Sequence, residues 1–403
     1  MCDKDDIPSS ICIIHLLFPS NMTKRPGDQG QATTPVREPL NVDSLCRWMS
    51  QQPALSALLS PSQQSSNLSI RQFGFGQSNP TYQLMFQDCT LVLRKKPSIT
   101  AHASAHALHR EYRILQALRQ HNQQHPLQQV PVPQVYAYCS DTTILGAEFY
   151  IMEFVPGRIF TDPALPGLSE DDRRAAFRNT IVVLKNLHHA VDWKQLGLAD
   201  YGKQGRYVER QLERLMAVSR RQSALMMNDE DPNLIPALAQ QLVRYAQQCP
   251  QSKLSLLHGD FKMDNLVFHP TEPRIIAVLD WELSTLGDGL CDLANLSMMY
   301  FISPDQVGIS GIAGRTVPGI PSRQELVQLY SAQDFDTAWA WSGFYLAFLF
   351  FKNAVIVQGV AQRHQQGVAS SATARHVGAL LPQIVQQAQQ LLQEYPPPPW
   401  SRL

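Results

Sequence analysis

The chain has 403 residues, 44% hydrophobic and 17% charged, with equal numbers of basic and acidic side chains and a formal net charge of zero. That balance excludes a disordered chain and an overall basic field able to gather nucleic acid, and the length allows one large domain or two closely joined lobes. Seven scattered cysteines, with no C-x-x-C pair among them, argue against a zinc clasp or dithiol chemistry and fit a reducing, cytoplasmic setting.

Residues 1–36 are polar and turn-rich in their later part, without periodicity, and are expected to be a disordered lead-in. Their apolar stretch ICIIHLLF follows a net-acidic MCDKDD and precedes no small-residue cleavage site, which argues against a secretory signal. A first helix is predicted in NVDSLCRWMSQQ, with Asp43 or Ser44 as its cap and Leu45, Trp48 and Met49 on one face. From 68 to 95, alternating runs broken by glycine-rich and Asp-containing turns predict a small antiparallel sheet. A helix follows in AHALHREYRILQALRQH, and EFYIMEFVPG is an apolar run stopped by Pro156 and Gly157.

Helices dominate from Ser169, which is placed as a cap before an acidic first turn. Two short β runs, NLVFH and RIIAVLDW, interrupt them and predict a hairpin across PTEP. The stretch Thr337 to Phe351 is strongly apolar but meets Lys352 and Asn353 before reaching the roughly 20 residues of a membrane span. A buried helix is expected there instead, with Trp339, Trp341, Phe344 and Tyr345 as core or as the lining of an acceptor pocket. The last helix ends at a run of prolines, which cannot continue it.

Chemistry concentrates at residues 258–265, HGDFKMDN, and in VLDW shortly after. Phosphoryl transfer needs a base on the attacking hydroxyl, oxygen ligands for magnesium on the nucleotide phosphates, and positive charge for the moving phosphoryl group. Asp260 is the candidate base, Lys262 the cation directed at the transferred group, and Asn265 and Asp280 the magnesium ligands. The hairpin explains the spacing, because it carries Asn265 at its entry and Asp280 at its exit. His258 is read as a structural ring beneath the loop. Asp292, one turn after Asp288, either bonds the loop backbone or belongs to an ordinary buried cap network.

These residues resemble the protein-kinase pattern H-R-D-L-x-x-x-N with its following D-F-G aspartate, in the variant used by aminoglycoside phosphotransferases and choline-kinase-like enzymes. Gly259 stands where a protein kinase has the arginine that holds a phosphorylated activation loop, and no A-P-E segment follows Asp280. The resemblance covers most of residues 40–395. In FGQSNPTYQL, LVLRKKP, YGKQG and HGDFKMDNLVFHPTEPRIIAVLDWELSTLGD the chain is similar to the kinase domain that some eukaryotic proteins carry fused to an acyl-CoA dehydrogenase. Gly289 replaces the proline usual after Gly-Asp in that family.

The resemblance implies an α+β, two-lobed protein-kinase-like fold. A small β-rich lobe would occupy 37–155, a large mostly helical lobe with the metal-binding hairpin 156–395, and a tail 396–403. It implies a magnesium- and ATP-dependent kinase acting on a small-molecule hydroxyl, with a hydroxyacyl-CoA as acceptor and a functional link to an acyl-CoA dehydrogenase. A kinase for aminoglycosides, choline or sugars, and a catalytically silent nucleotide-binding scaffold, are the alternatives. Nucleotide contacts are expected from Gly74, Gly76, Ser78 and Asn79 in the glycine loop. The phosphate-binding cation would be Arg94, preferred to Lys96, with Glu111 as its helix partner. Backbone groups of Glu153, Phe154 and Val155 would bind adenine. His102, His106 and His109 share helical spacing, but with no carboxylate or thiolate in register they are read as surface histidines.

Overall fold

Six strands of the N-terminal half pair into one antiparallel sheet, and this sheet carries the first of two structural units in the computed structural model. The structure describes residues 33–59, 68–74, 79–97, 108–226, 232–304, 306, 310–367 and 374–398. Among these, the first unit takes 33–160 and 264–282, and the second takes 161–263 and 283–398. The apolar start of the chain, Gly76, Ser78, His102 and His106 lie outside the described residues.

In the first unit the sheet runs β1 (Thr33–Thr34), β2 (Ser69–Phe73), β3 (Thr81–Met85), β4 (Thr90–Lys95), β6 (Phe149–Glu153) and β5 (Val135–Cys139), in that spatial order. β4 is the central strand, and five of its six residues are buried. Thr33 and Thr34 belong to the segment expected as lead-in, yet they pair with β2, because Arg71 donates from Nε to Thr33 Oγ1 at 2.7 Å and from Nη2 to its carbonyl at 3.0 Å. Helix α1 (Val42–Ser50) and the single turn α2 (Pro53–Ser56) pack Leu45, Met49 and Leu55 into the same core as Tyr82, Leu84, Leu93 and Ile151. The cap of α1 is Asn41, not Asp43 or Ser44. Asn41 Oδ1 accepts from the Ser44 amide at 3.0 Å, which leaves Asp43 inside the first turn. Helix α3 (Leu108–Gln124) buries Ile114, Leu115 and Leu118, and on the same stripe Glu111. The short α4 (Thr142–Leu145) connects β5 to β6.

The hairpin was expected within the helical portion, and the structure groups it with the β-rich unit. Beyond β6, strand β7 (Arg158–Ile159) pairs with β9 (Leu266–Phe268), which pairs with β10 (Ile275–Val278). The reason is local and physical. Ile159, Val267 and Ala277 form one apolar cluster, Val278 N–H donates to Pro131 O at 2.8 Å, and Arg158 donates from Nε to His269 O at 2.9 Å. Gly157 permits the approach, since a Cβ there would fall 2.4 Å from Phe268 O.

The second unit is built around one long helix. Helices α5 (Glu170–Lys185), α6 (Tyr207–Leu225) and α7 (Leu234–Ala246) come first, and Ser169 caps α5 by accepting from the Asp172 amide at 3.1 Å. A two-stranded ladder, β8 (Leu254–Leu257) with β11 (Thr285–Asp288), precedes α8 (Leu290–Ser297) and α9 (Arg323–Ser331). Helix α10 (Phe335–Gln365) then packs against α6, α7, α8 and α9, and against α11 (Ala374–Gly378) and α12 (Leu381–Glu394). It belongs to the only segment among the described residues long and apolar enough to cross a membrane, and 83% of the apolar window is buried inside the unit, as a core helix would be. Trp341, Phe344 and Tyr345 are core, whereas Trp339 lies against Arg323, whose guanidinium sits 4.0 Å from the indole centre.

Because Phe344 is fully buried at the centre of this packing, Phe344→Ala should lower unfolding stability by about 3–5 kcal/mol. Chemical denaturation of the two proteins side by side measures it.

Candidate functional site

The H-G-D loop that carries the candidate residues is held by the second unit's small ladder. β8 ends at Leu257 and delivers His258, Gly259 and Asp260 beside the start of β11, while α8 doubles back after β11. That return places Asp292 behind the loop, where it accepts from the His258 amide at 2.7 Å and the Gly259 amide at 2.8 Å. The loop-backbone role is therefore the one the structure shows for Asp292. Three residues on, and so on the same helix face, Asn295 donates from Nδ2 to Asp260 Oδ1 at 3.2 Å. Lys262 Nζ lies 3.1 Å from the other oxygen, Oδ2. His258 is fully buried, and its Nδ1 accepts from the Asp260 amide at 3.2 Å, so the ring props the loop from beneath.

Gly259 is dictated by the backbone. Its φ of +85° favours glycine, and a Cβ would stand 2.4 Å from Leu283 O. The arginine that a protein kinase carries here has no room. From α10, Lys352 donates from Nζ to the Gly259 carbonyl at 3.1 Å.

The first unit gathers a second group around Arg94. Its Nε lies 3.0 Å from Glu111 Oε2, and its Nη2 lies 2.8 Å from Asp280 Oδ1 and 3.3 Å from Glu282 Oε2. Burial works against the charged guanidinium, but the surrounding carboxylates, Glu111 foremost, hold its pKa well above the ordinary value. Lys96 stands apart, in an ion pair with Glu148 at 2.7 Å. Asn79 is buried in this group, where it donates from Nδ2 to Glu282 Oε2 at 3.2 Å while its Oδ1 has no partner. The mouth of the hairpin is closed by Leu279 N–H donating to Asn265 O at 2.9 Å, which leaves Asn265 and Asp280 at the same end. Asp280 sits in the left-handed region at φ +65°, a conformation aspartate tolerates better than most residues.

Three carboxylates around one guanidinium leave an excess of negative charge. With the amide of Asn265 and the unpartnered Asn79 oxygen nearby in the fold, the donors are all oxygen and suit a hard divalent cation. Among the described residues no group of three His, Cys, Asp or Glu is arranged as a self-sufficient metal site. A cation here would take its other ligands from a bound anion or water, as magnesium commonly does.

The remaining expected contacts are placed as follows. Gly74 follows β2, and Phe73, the last residue of that strand, stacks on Phe154 with ring centres 6.4 Å apart. Glu153 uses its amide on Gln134 O at 2.8 Å and its carboxylate on the Gln134 amide at 3.0 Å, so its N–H is committed within the sheet. Val155 packs on the hairpin's apolar cluster. Sequence reasoning missed Glu282, Asn295 and the role of Lys352. Their signals were faint: a carboxylate two residues past Asp280, an amide three past Asp292, and a lone cation in an apolar helix.

A β-rich unit with a Lys-or-Arg to Glu pair on strand and helix, together with a helical unit bearing an H-G-D loop, defines the protein-kinase-like phosphotransferase fold. Comparison with known proteins agrees. Residues 69–326 match the phosphotransferase enzyme family, and the chain belongs to that family as a small-molecule phosphotransferase. It is 35% identical to a putative aminoglycoside phosphotransferase from Ralstonia eutropha of known crystal structure, at a TM-score of 0.71 over 88% of this chain and 99% of that one. It shares the fold of a Plasmodium vivax ethanolamine kinase at 14% identity and a TM-score of 0.52, over 82% of each chain. Mouse acyl-CoA dehydrogenase family member 10 is 40% identical over 78% of this chain, and human acyl-CoA dehydrogenase family member 11 is 38% identical over 77%. The chain spans only 28% and 38% of those two relatives' lengths.

Two outcomes follow from the geometry. Gly259→Ala should lose about 2–4 kcal/mol of stability, read from denaturation midpoints, because it adds both backbone strain and a clash. The Glu111 carboxyl is pushed up from 4.5 to about 7, by burial first, against the pull of Arg94 and with the push of Asp280. The folded chain thus keeps a proton that the unfolded chain releases near 4.5, so this contribution to stability is full below about 4.5 and is lost as pH rises to about 7. Glu111→Gln should flatten the decline, seen by comparing urea midpoints at about pH 5 and about pH 7.5.

Proposed function

We propose that the chain transfers the γ-phosphoryl group of ATP to the hydroxyl of a hydroxyacyl-CoA. The first unit supplies the nucleotide-binding residues, with Arg94 fixed by Glu111 and directed at phosphate oxygens, and backbone groups near Phe154 and Val155 for adenine. Asp280 and Asn265 would hold magnesium, which when bound neutralises charge on the nucleotide phosphates. Support for ATP comes from the fold, since an aminoglycoside phosphotransferase of the same fold, with a TM-score of 0.52, has been solved in ternary complex with AMP-PNP and hygromycin B.

The second unit supplies the catalytic loop. Asp260 accepts a hydrogen bond from the acceptor hydroxyl and orients its oxygen for attack; Asn295 fixes one carboxylate oxygen and Lys262 offers positive charge beside the other. The observation that carries the choice of acceptor is the charge around this loop. Lys262, paired with Asp260, and Lys352, bonded to the Gly259 carbonyl, bring two positive charges to a loop that itself carries Asp260 and Asp264, whereas Asp292 is consumed by the loop amides and Asp288 by the Tyr345 hydroxyl and the Leu290 amide. The two cations weigh against a polycationic acceptor and favour an anionic one such as an acyl-CoA. The acyl-CoA dehydrogenase names of the relatives point the same way. The five described cysteines are thiols, which supports a reducing, cytoplasmic setting.

Release of ADP with magnesium-ATP should be stimulated by hydroxyacyl-CoA and not by aminoglycosides, choline or sugars. Asp260→Ala should lower turnover about 10²–10⁴-fold with nucleotide affinity retained, and Asp280→Ala should weaken nucleotide binding itself. Full activity of the Asp260 variant, or stimulation by aminoglycosides alone, defeats the respective part of the proposal.

A further inference from the structure

Behind Asp292 the second unit carries a buried polar chain. His188, from a π-helical turn at Asn186–Ala190, places Nε2 3.2 Å from Asp292 Oδ2 and Nδ1 2.7 Å from the Tyr330 hydroxyl. Asp292, His188 and Tyr330 are 1%, 2% and 5% exposed, too little for water to replace any link. Burial, with the charges of Asp288 and Asp292, raises the pKa of Tyr330 well above its ordinary value, so its hydroxyl remains a donor. With Nδ1 accepting from the Tyr330 hydroxyl, Nε2–H is left to donate to Asp292 Oδ2. Burial alone would raise the Asp292 carboxyl, but the His188 hydrogen bond and the nearby histidines bring it below the ordinary range.

Gly289 is the second half of the observation. A Cβ at this position would lie 2.7 Å from the Tyr330 oxygen and 2.8 Å from His188 Nδ1. The hydroxyl–imidazole bond occupies the space that a side chain at 289 would fill.

We propose that Tyr330, admitted by Gly289, is a positioning residue for phosphoryl transfer, acting through His188 and Asp292 on the amides of His258 and Gly259 and thereby on the placement of Asp260. Its catalytic consequence rests on the reading of Asp260 given above. Tyr330→Phe deletes one hydroxyl and leaves His188 free to turn. In the folded variant kcat should fall about tenfold while KM for the nucleotide stays within about twofold, and the His258 and Gly259 amides should exchange with deuterium about tenfold faster. Exchange reads the loop without turnover, so an inactive parent enzyme would count against Asp260 and leave this measurement standing.

Gly289→Ala should produce a similar loss. Added to Tyr330→Phe it should cost less than it does alone, because the Tyr330 oxygen is gone and only the His188 ring, 2.8 Å from the new Cβ, must give way. Unchanged exchange at the loop amides in Tyr330→Phe overturns the proposal. Should that variant not fold, 15N spectra of the parent with labelled histidine decide: an unprotonated, hydrogen-bonded Nδ1 on His188 supports the chain, and a proton on Nδ1 overturns it.

Discussion

A carboxylate buried behind the H-G-D loop sets the terms for the second unit. Asp292 takes both amides at the turn where Gly259 runs in the left-handed region, and a loop so shaped leaves its N–H groups facing inward, where water cannot serve them. Without an acceptor at that point the turn would bury two orphaned donors. With it, the same turn presents Asp260 outward with its carboxylate gripped by Asn295 and Lys262. The ladder of β8 and β11 and the reversal into α8 are the means of bringing residue 292 back to residue 258.

Arg94 organises the first unit by a different physics. Its planar fork reaches three carboxylates in different directions, through Nε to Glu111 and through Nη2 to Asp280 and Glu282, which a lysine's compact ammonium could not do at these distances. One cation among three carboxylates is an unbalanced arrangement, and Glu111 is raised by its burial first, with the charge of Asp280 adding to it against the pull of Arg94. Such a group is poorly suited to serve stability alone, because buried ion pairs rarely recover their desolvation penalty. It is well suited to receive a further cation.

What could be read from the sequence was what short spacing encodes. HGDFKMDN and the hairpin after it are contiguous, so their chemistry and their β runs could be placed together, and Ser169 ahead of three acidic residues signalled a helix start through local hydrogen bonding alone. The family resemblance supplied the two-unit α+β fold. Asn41 was passed over because the sequence offers several adjacent capping side chains, and only the angle at which the chain enters the helix chooses among them. LSLL and TLGD lack the alternation that marks a strand, so β8 and β11 were invisible until paired. The association of the hairpin with β7, and the joining of His188 to Tyr330 across 142 residues, are long-range events that no local pattern records.

Lys352 shows how such an absence of pattern can itself carry information. Between Asp336 and Arg363 it is the one charged side chain in a helix that is mostly apolar and buried. An ammonium in that setting gives up part of its hydration, and a fold that needed only packing there would carry leucine or methionine. The ammonium is directed to the carbonyl of Gly259, the residue whose backbone the rest of the loop depends on. A neutral donor could have satisfied that carbonyl; a full positive charge also adds an electrostatic field beside Asp260. Electrostatics of this kind discriminates between partners more strongly than it adds affinity, and here its source is the one residue that interrupts the apolar helix.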